Sequence, residues 1–235
     1  MRKIVFVTSL VIGMLCSNAY AVKILEGEAL FTGGGTVTGQ TVYVDYIVST
    51  HDLAAAIPAA SFVFSDLASA PGFFKGDHAA YSGDMYYYYY QIERPTATPA
   101  SSISALSLSL NPATVHTAGY IIGYDLDDAP FSHSTGDTNE EVSTIQDPSD
   151  AEFDDLSSPA GQTWAFSPKL TVGKESTVLF VSCMHPPEFF PASILDSGGF
   201  WEGSLPIPLM VVPEPASILL IGMSIVGVVL KKKRS

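Results

Sequence analysis

The sequence predicts an all-β protein: an antiparallel β-sandwich of about eight or nine strands, framed by an N-terminal signal peptide and a short C-terminal transmembrane helix. Three observations predict it. Apolar residues in the middle of the chain recur every second position far more often than at helical spacing. Gly, Pro and Asn interrupt these runs at short intervals, the punctuation of an antiparallel sandwich. No long amphipathic stretch and no fixed-period repeat is present, which argues against alternating βα units.

In order, the chain begins with Arg2 and Lys3 ahead of an apolar run from Ile4 to Cys16, and Ala19-Tyr20-Ala21 supplies a small-residue cleavage site before Val22. Residues 1–21 read as a secretory signal peptide, with Ala19 and Ala21 as the small residues of a cleavage site before Val22, delivered by the general secretion machinery. Leu15 stands before Cys16 where a lipoprotein signal carries a small residue.

Residues 22–204 form the predicted exported sandwich. Ile24 to Phe31 is a first strand, ended by Gly33-Gly34-Gly35, and Thr41 to Thr50 is a second, with Val42, Val44, Tyr46 and Val48 on one face. Asp52 caps a single helical turn to Ile57, and Ser61 to Leu67 is a short strand. Met85 to Glu93 carries five consecutive tyrosines, residue types that suit a pleated surface. Ile103 to Leu110 alternates, with Leu106, Leu108 and Leu110 inward and Ser107 and Ser109 outward, and Gly119 to Tyr124 follows. Thr163 to Thr171 and Ser176 to Met184 read as a hairpin around Val172-Gly173-Lys174-Glu175. Ser193 to Trp201 is the last strand, kinked at Gly198-Gly199.

Charge narrows the function classes. Between the two end segments lie five basic and 23 acidic residues, a net of −18. Such a surface repels phosphate backbones, which excludes nucleic-acid binding. Cys16 leaves with the signal peptide, so Cys183 has no partner within the mature chain and the core must hold the fold without disulfides.

Residues 125–160 break the strand pattern. Asp125 to Asp155 contains eleven acids and no Lys or Arg, and reads as an exposed acidic insert between the halves of the sandwich. Asp125, Asp127 and Asp128, or Asp147, Asp150, Glu152, Asp154 and Asp155, are candidate ligands of a weak calcium site, and no other cofactor is expected, although no standard calcium-loop spacing is present. The other reading is a solvated acidic loop. Tyr86, Tyr88 and Tyr90 share a strand face and are the candidate platform for stacking a sugar ring, against the plainer reading of packed strand residues. Cys183 and His185 point to the same side of a strand, but nothing beyond proximity marks a nucleophile pair, and core cysteine is the plainer reading. His51, His78, His116 and His133 stand singly, without metal-ligand spacing. No catalytic motif occurs, so a non-enzyme is expected and no catalytic residue is assigned.

The tail has its own order. Residues 205–211 are a Pro-rich linker. Val212, Pro213, Glu214 and Pro215 follow, then the apolar stretch Ala216 to Leu230, then Lys231, Lys232, Lys233 and Arg234 as a basic stop. As a helix, fifteen residues reach about 22 Å, short of the roughly 30 Å hydrocarbon core. A basic flank of this kind stays in the cytoplasm. Residues 212–235 resemble the PEP-CTERM sorting signal of bacterial exported proteins, in which a Pro-Glu-Pro motif, a helix and a basic terminus occur in this order. Tyr90-Gln91-Ile92-Glu93, Trp164-Ala165-Phe166 and Leu179-Phe180-Val181-Ser182 loosely resemble the bodies of some such proteins.

The resemblance implies recognition by a membrane-embedded exosortase, a transient stay in the cytoplasmic membrane, and release to the cell surface or extracellular matrix. A plain C-terminal anchor is the alternative. The expected function is therefore that of a non-enzymatic exported protein with a structural or adhesive role, in association with exopolysaccharide. A carbohydrate-binding module of the matrix, and more remotely a secreted hydrolase, are the alternatives.

Overall fold

The structure, a computed structural model, describes residues 23–67, 85–94, 101–111, 115–133, 144–154, 156, 160–196 and 198–208. The signal peptide with Ala19 and Ala21, the transmembrane stretch, the motif residues Val212 to Pro215 and the stop Lys231 to Arg234 lie outside the described residues. Among the described residues no helix is long and apolar enough to cross a membrane.

Among the described residues fourteen strands carry the fold. They are β1 (Lys23–Gly35), β2 (Thr41–Ser49), β3 (Phe62–Phe64), β4 (Asp66–Leu67), β5 (Tyr86–Arg94), β6 (Ile103–Ser109) and β7 (Val115–Ile121), then β8 (Ile145–Gln146), β9 (Asp150–Asp154), β10 (Gly161–Leu170), β11 (Lys174–Ser176), β12 (Val178–Cys183), β13 (Pro187–Leu195) and β14 (Gly199–Pro208). The order across the sheet is β3-β7-β12-β5-β2-β1-β14-β13-β6-β10-β9-β4, with β11 attached to β5 and β8 to β11. Pairing is antiparallel except between β4 and β9 and between β8 and β11.

The outer strands of this order, β3 and β4, are consecutive in sequence and separated by Ser65 alone. One broken strand thus pairs with β7 on one side and β9 on the other, and the Ser65 N–H donates to the Ala118 carbonyl at 2.9 Å between them. The sheet curls into a nearly closed barrel, the arrangement that leaves fewest unpaired edge groups.

Its interior holds Phe31, Val42, Val44, Tyr46, Val48, Tyr88, Tyr90, Ile92, Leu106, Leu108, Trp164, Leu179, Val181, Ile194, Trp201, Leu205 and Ile207. The alternation expected for the second strand holds: Val42, Val44, Tyr46 and Val48 all face this core. A second core lies outside β2, β5, β12 and β7, where Leu53, Ala54, Ile57, Phe62, Phe64, Leu126 and Phe131 cover Ile47, Tyr87, Tyr89, Val178 and Phe180. Asp52 caps the 3-10 turn Leu53–Ala56 through Ala54 N–H at 2.9 Å, and the same Oδ1 accepts the Tyr89 hydroxyl at 2.9 Å. The strands under this cover are buried on both faces, which explains the near-continuous apolar runs of β5 and β12.

Several expectations are corrected. Among the described residues there is one continuous sheet of fourteen strands where the sequence predicts eight or nine in two layers. Strands β8 and β11 are too short to show a period, and β9 lies in the stretch read as an acidic insert. The strand expected over Ser61 to Leu67 breaks at Ser65 into β3 and β4, and the one expected over Ser193 to Trp201 spans parts of β13 and β14. The predicted hairpin of β10 and β12 does not form: β10 pairs with β6 and β9, β12 with β5 and β7. Between them β11 crosses to β5. The first strand does not stop at Gly33 but runs through Gly35 opposite β14, where a Cβ on Gly34 would lie 2.9 Å from the Phe200 ring. Gly198-Gly199 marks a hairpin turn between β13 and β14 rather than a kink.

The acidic segment 125–160 is no detached insert in its described parts, since β9 supplies Ala151 and Phe153 to the interior. Leu205 to Pro208 is not linker but the end of β14. Leu205 and Ile207 are fully buried, the Pro206 carbonyl accepts the Tyr90 hydroxyl at 2.7 Å, and the prolines sit opposite Phe189 and Pro187 of β13.

Candidate functional site

The outer face of the barrel carries acids where strand packing favours apolar residues. Along β2, Ile47 and Ser49 share that face with Asp45, because side chains alternate. In register, Glu28 of β1 stands opposite Asp45, and Glu93 of β5 stands opposite Glu175 of β11. Like charges placed directly opposite destabilise a sheet. Here they are also withdrawn from water: Asp45 is 0 % exposed, Glu93 2 % and Glu175 7 %.

The chain after β7 folds over this patch. The Leu126 N–H donates to Gln91 Oε1 at 2.8 Å, and the Leu126 carbonyl accepts the His133 N–H at 2.9 Å. Leu126 and Phe131 enter the outer core, Phe131 with its ring centroid 4.9 Å from that of Tyr89. Asp125 Oδ1 accepts the Asp127 N–H at 2.9 Å, and the Asp128 carbonyl accepts the N–H groups of Phe131 and Ser132. Lys23 Nζ bonds the Ser132 carbonyl at 2.6 Å and Glu26 at 2.7 Å, tying the loop end to β1.

This turn returns His133 into the patch with its side chain 0 % exposed. Its Nε2 lies 3.2 Å from the Gly27 carbonyl, and its Nδ1 lies 3.3 Å from Asp127 Oδ1 and 3.8 Å from Asp45 Oδ2. The ligand atoms of Asp45, Asp127 and His133 fall within 4.8 Å of one another, as do those of Glu28, Asp45 and Glu93. Asp45 belongs to both sets.

Glu175 registers the crowding. Burial pushes its carboxyl up to about 8, helped by the charges of Asp125, Glu93 and Asp127 and by a hydrogen bond to Asp125. The sign follows from linkage. Between the ordinary carboxylate range and about 8 the folded state holds a proton that the unfolded state has lost, so stability falls as pH rises through that window. With a chelator present, Glu175→Gln is expected to flatten the stability profile from pH 5 to 8 and to gain about 2 kcal/mol at pH 8, a value discounted for the partly exposed Asp125 and Asp127. Urea unfolding of both proteins across that range checks it; parallel profiles would refute it.

The structure redistributes the residues singled out by sequence. Asp127 enters the buried set, Asp125 turns to Glu175 and the loop backbone, and Asp128 is exposed, so the three do not act as one group. Sequence spacing missed Asp45, Glu28, Glu93, Glu175 and His133, since they come from separate strands and a loop. The one local signal is Asp45 itself, an acid within Val42-Tyr43-Val44-Asp45-Tyr46-Ile47-Val48.

The aromatic platform is corrected: Tyr88 and Tyr90 are 0 % exposed, donate to the His185 and Pro206 carbonyls at 2.7 Å, and Tyr86 is half-buried against the same core. That face is interior, because the barrel closes over it. Cys183 is buried, and its Sγ accepts the backbone N–H of His185 at 3.0 Å.

A further segment is identified by comparison rather than geometry. No curated protein and no solved structure matches the chain. Residues 211–234, however, match the model of the PEP-CTERM protein-sorting motif, which covers the Pro213-Glu214-Pro215 tripeptide, the apolar stretch and the basic cluster. The chain therefore carries a PEP-CTERM sorting motif at its C-terminus, as an exosortase substrate does.

Proposed function

We propose that this is a non-enzymatic exported protein with a structural or adhesive role at the cell surface or in an exopolysaccharide matrix, released there by an exosortase acting on its C-terminal signal. The observation that carries the reading is the sorting motif over residues 211–234, which implies export, a transient stay in the membrane and processing. The barrel supports it in a second way. Its acidic, turn-linked strands form a self-contained body whose last strand ends at Pro208, two residues before the matched motif, so the cargo and its address are separate units of one chain.

The intact mass of the protein recovered from the surface or culture fluid tests this. A C-terminus between Glu214 and Ser217 supports sorting, and a surface form still ending at Ser235 sinks it. Pull-down of extracellular polysaccharide by the released protein separates an adhesive role from a passive one.

A further inference from the structure

We propose that Asp45, Asp127 and His133 hold one divalent transition-metal ion, Zn²⁺ or Mn²⁺, with Glu28 and Glu93 beside Asp45, and that the ion fastens the 122–133 loop to the outer face of the barrel.

The donor and acceptor roles around His133 point there first. The Gly27 carbonyl can only accept, so the Nε2 that faces it at 3.2 Å carries the ring hydrogen. With Nδ1 deprotonated, as a metal ligand must be, its lone pair would face two carboxylate oxygens, at 3.3 and 3.8 Å. Three acceptors converge, and a cation between them turns each repulsion into a bond. Histidines that ligate metals characteristically donate their other ring N–H to a carbonyl or carboxylate, which is the arrangement His133 makes with Gly27.

Distance and charge agree. Ligands about 2.1 Å from a tetrahedral ion stand about 3.4 Å apart, close to the 3.3 Å between His133 Nδ1 and Asp127 Oδ1. Buried carboxylates are expected to be paired or to coordinate a metal. Here Asp45 lies within both ligand sets and is 0 % exposed.

The ligand types select the ion. Ca²⁺ and Mg²⁺ take oxygen ligands, whereas an imidazole with carboxylates suits Zn²⁺ or Mn²⁺. The site shares Asp127 with the calcium candidates Asp125, Asp127 and Asp128 but differs from them in its other ligands, Asp45 and His133, and in its ion. Its ligands come from β2 and the loop, with Glu28 of β1 and Glu93 of β5 beside them, so binding joins elements far apart in sequence and opposes local opening of the loop.

The test uses the untagged full-length chain in detergent, stripped with EDTA and then given Zn²⁺, Mn²⁺ or Ca²⁺ alone, with metal per chain measured by mass spectrometry and unfolding by heat. One equivalent of Zn²⁺ or Mn²⁺ per chain is expected, with a rise in Tm of about 5 °C at saturating metal. Asp127→Asn, at a partly exposed position that should still fold, and His133→Gln are expected to weaken binding at least about tenfold, in line with loss of a ligand. Asp128→Asn, on the exposed side of the same loop, should leave it unchanged. No retained metal and no thermal shift would overturn the proposal. So would binding undiminished in Asp127→Asn, or Ca²⁺ bound as tightly as Zn²⁺ and Mn²⁺.

Discussion

Replacing Trp164 with alanine is expected to destabilise the folded chain by about 5 kcal/mol, comparable to the whole stability of many domains. Trp164 is fully buried in the interior, with its ring centroid 6.4 Å from that of Tyr90. Truncating a buried tryptophan costs roughly 3–5 kcal/mol in lost transfer and cavity energy. Its position adds to this. Trp164 lies on β10, one strand from β9, and its indole N–H reaches the Gly119 carbonyl of β7 at 2.7 Å. Strands β7 and β9 are the two that the broken β3–β4 strand joins, so this bond spans the line along which the barrel closes. Losing it strands a buried carbonyl at a further cost of about 1–3 kcal/mol. The closure has no slack to recover the contact, since a Cβ at Gly119 would lie 2.0 Å from the Val63 carbonyl oxygen. Trp164→Phe separates the terms: most of the volume stays while the N–H goes, and a loss of about 2 kcal/mol is expected. Urea unfolding of the full-length chain measures both. A cost below about 2 kcal/mol for the alanine variant would contradict the role given to this side chain.

The same closure explains what the sequence could and could not reveal. Period-two runs such as Thr41–Ser49 and Ile103–Ser109 identified strands and their inward faces, because alternation is a local property of a half-buried strand. Partnership was not local. The stretch 172–175 reads as a hairpin loop, yet β10 and β12 lie on different parts of the barrel. Strand β12 is buried on both faces, so it shows no alternation that would bind it to one neighbour. The tyrosine run was legible as strand and illegible as surface or core, since five identical residues carry no pattern. Burial on both sides follows only from the cover of 51–67 and 122–133. The acid–histidine cluster failed in the same way: its members are up to 147 positions apart between Glu28 and Glu175, and only sheet register and one loop bring them together. The C-terminal signal was readable throughout, because it is a linear motif whose meaning does not depend on folding.

Body and tail also differ in what a mutation there should disturb. The sequence reads the end of β14, from Leu205, as linker, but its buried Leu205 and Ile207 and the Tyr90–Pro206 bond make it structural up to Pro208. Leu209 and Met210 are all that separate it from the matched motif. On the proposed reading, changes in the strands before Pro208 are expected to act mainly through stability and changes in the matched segment through processing. This division makes the tail testable without the ambiguity of a misfolded body.

Glu214→Ala is expected to abolish processing almost completely and leave a membrane-retained chain that still ends at Ser235. Glu214 is the only charged residue between Glu202 and Lys231, so an enzyme that reads this segment by charge has one carboxylate to read. Pro213 and Pro215 fix the backbone beside it and remove two N–H donors, which keeps the segment from joining a helix or a sheet ladder. Alanine retains that backbone and deletes the charge alone. A permanent anchor would not notice, because its hold depends on Ala216 to Leu230 and on Lys231 to Arg234. Intact mass and fractionation of cells producing each form distinguish the two, with the unfolding midpoint as control. That midpoint should move by less than about 0.5 kcal/mol in equivalent stability, since the substitution lies beyond β14. A Glu214→Ala chain trimmed and released like the parent would show that the carboxylate is not what the enzyme recognises. A parent chain never trimmed would show that the match at 211–234 acts only as an anchor.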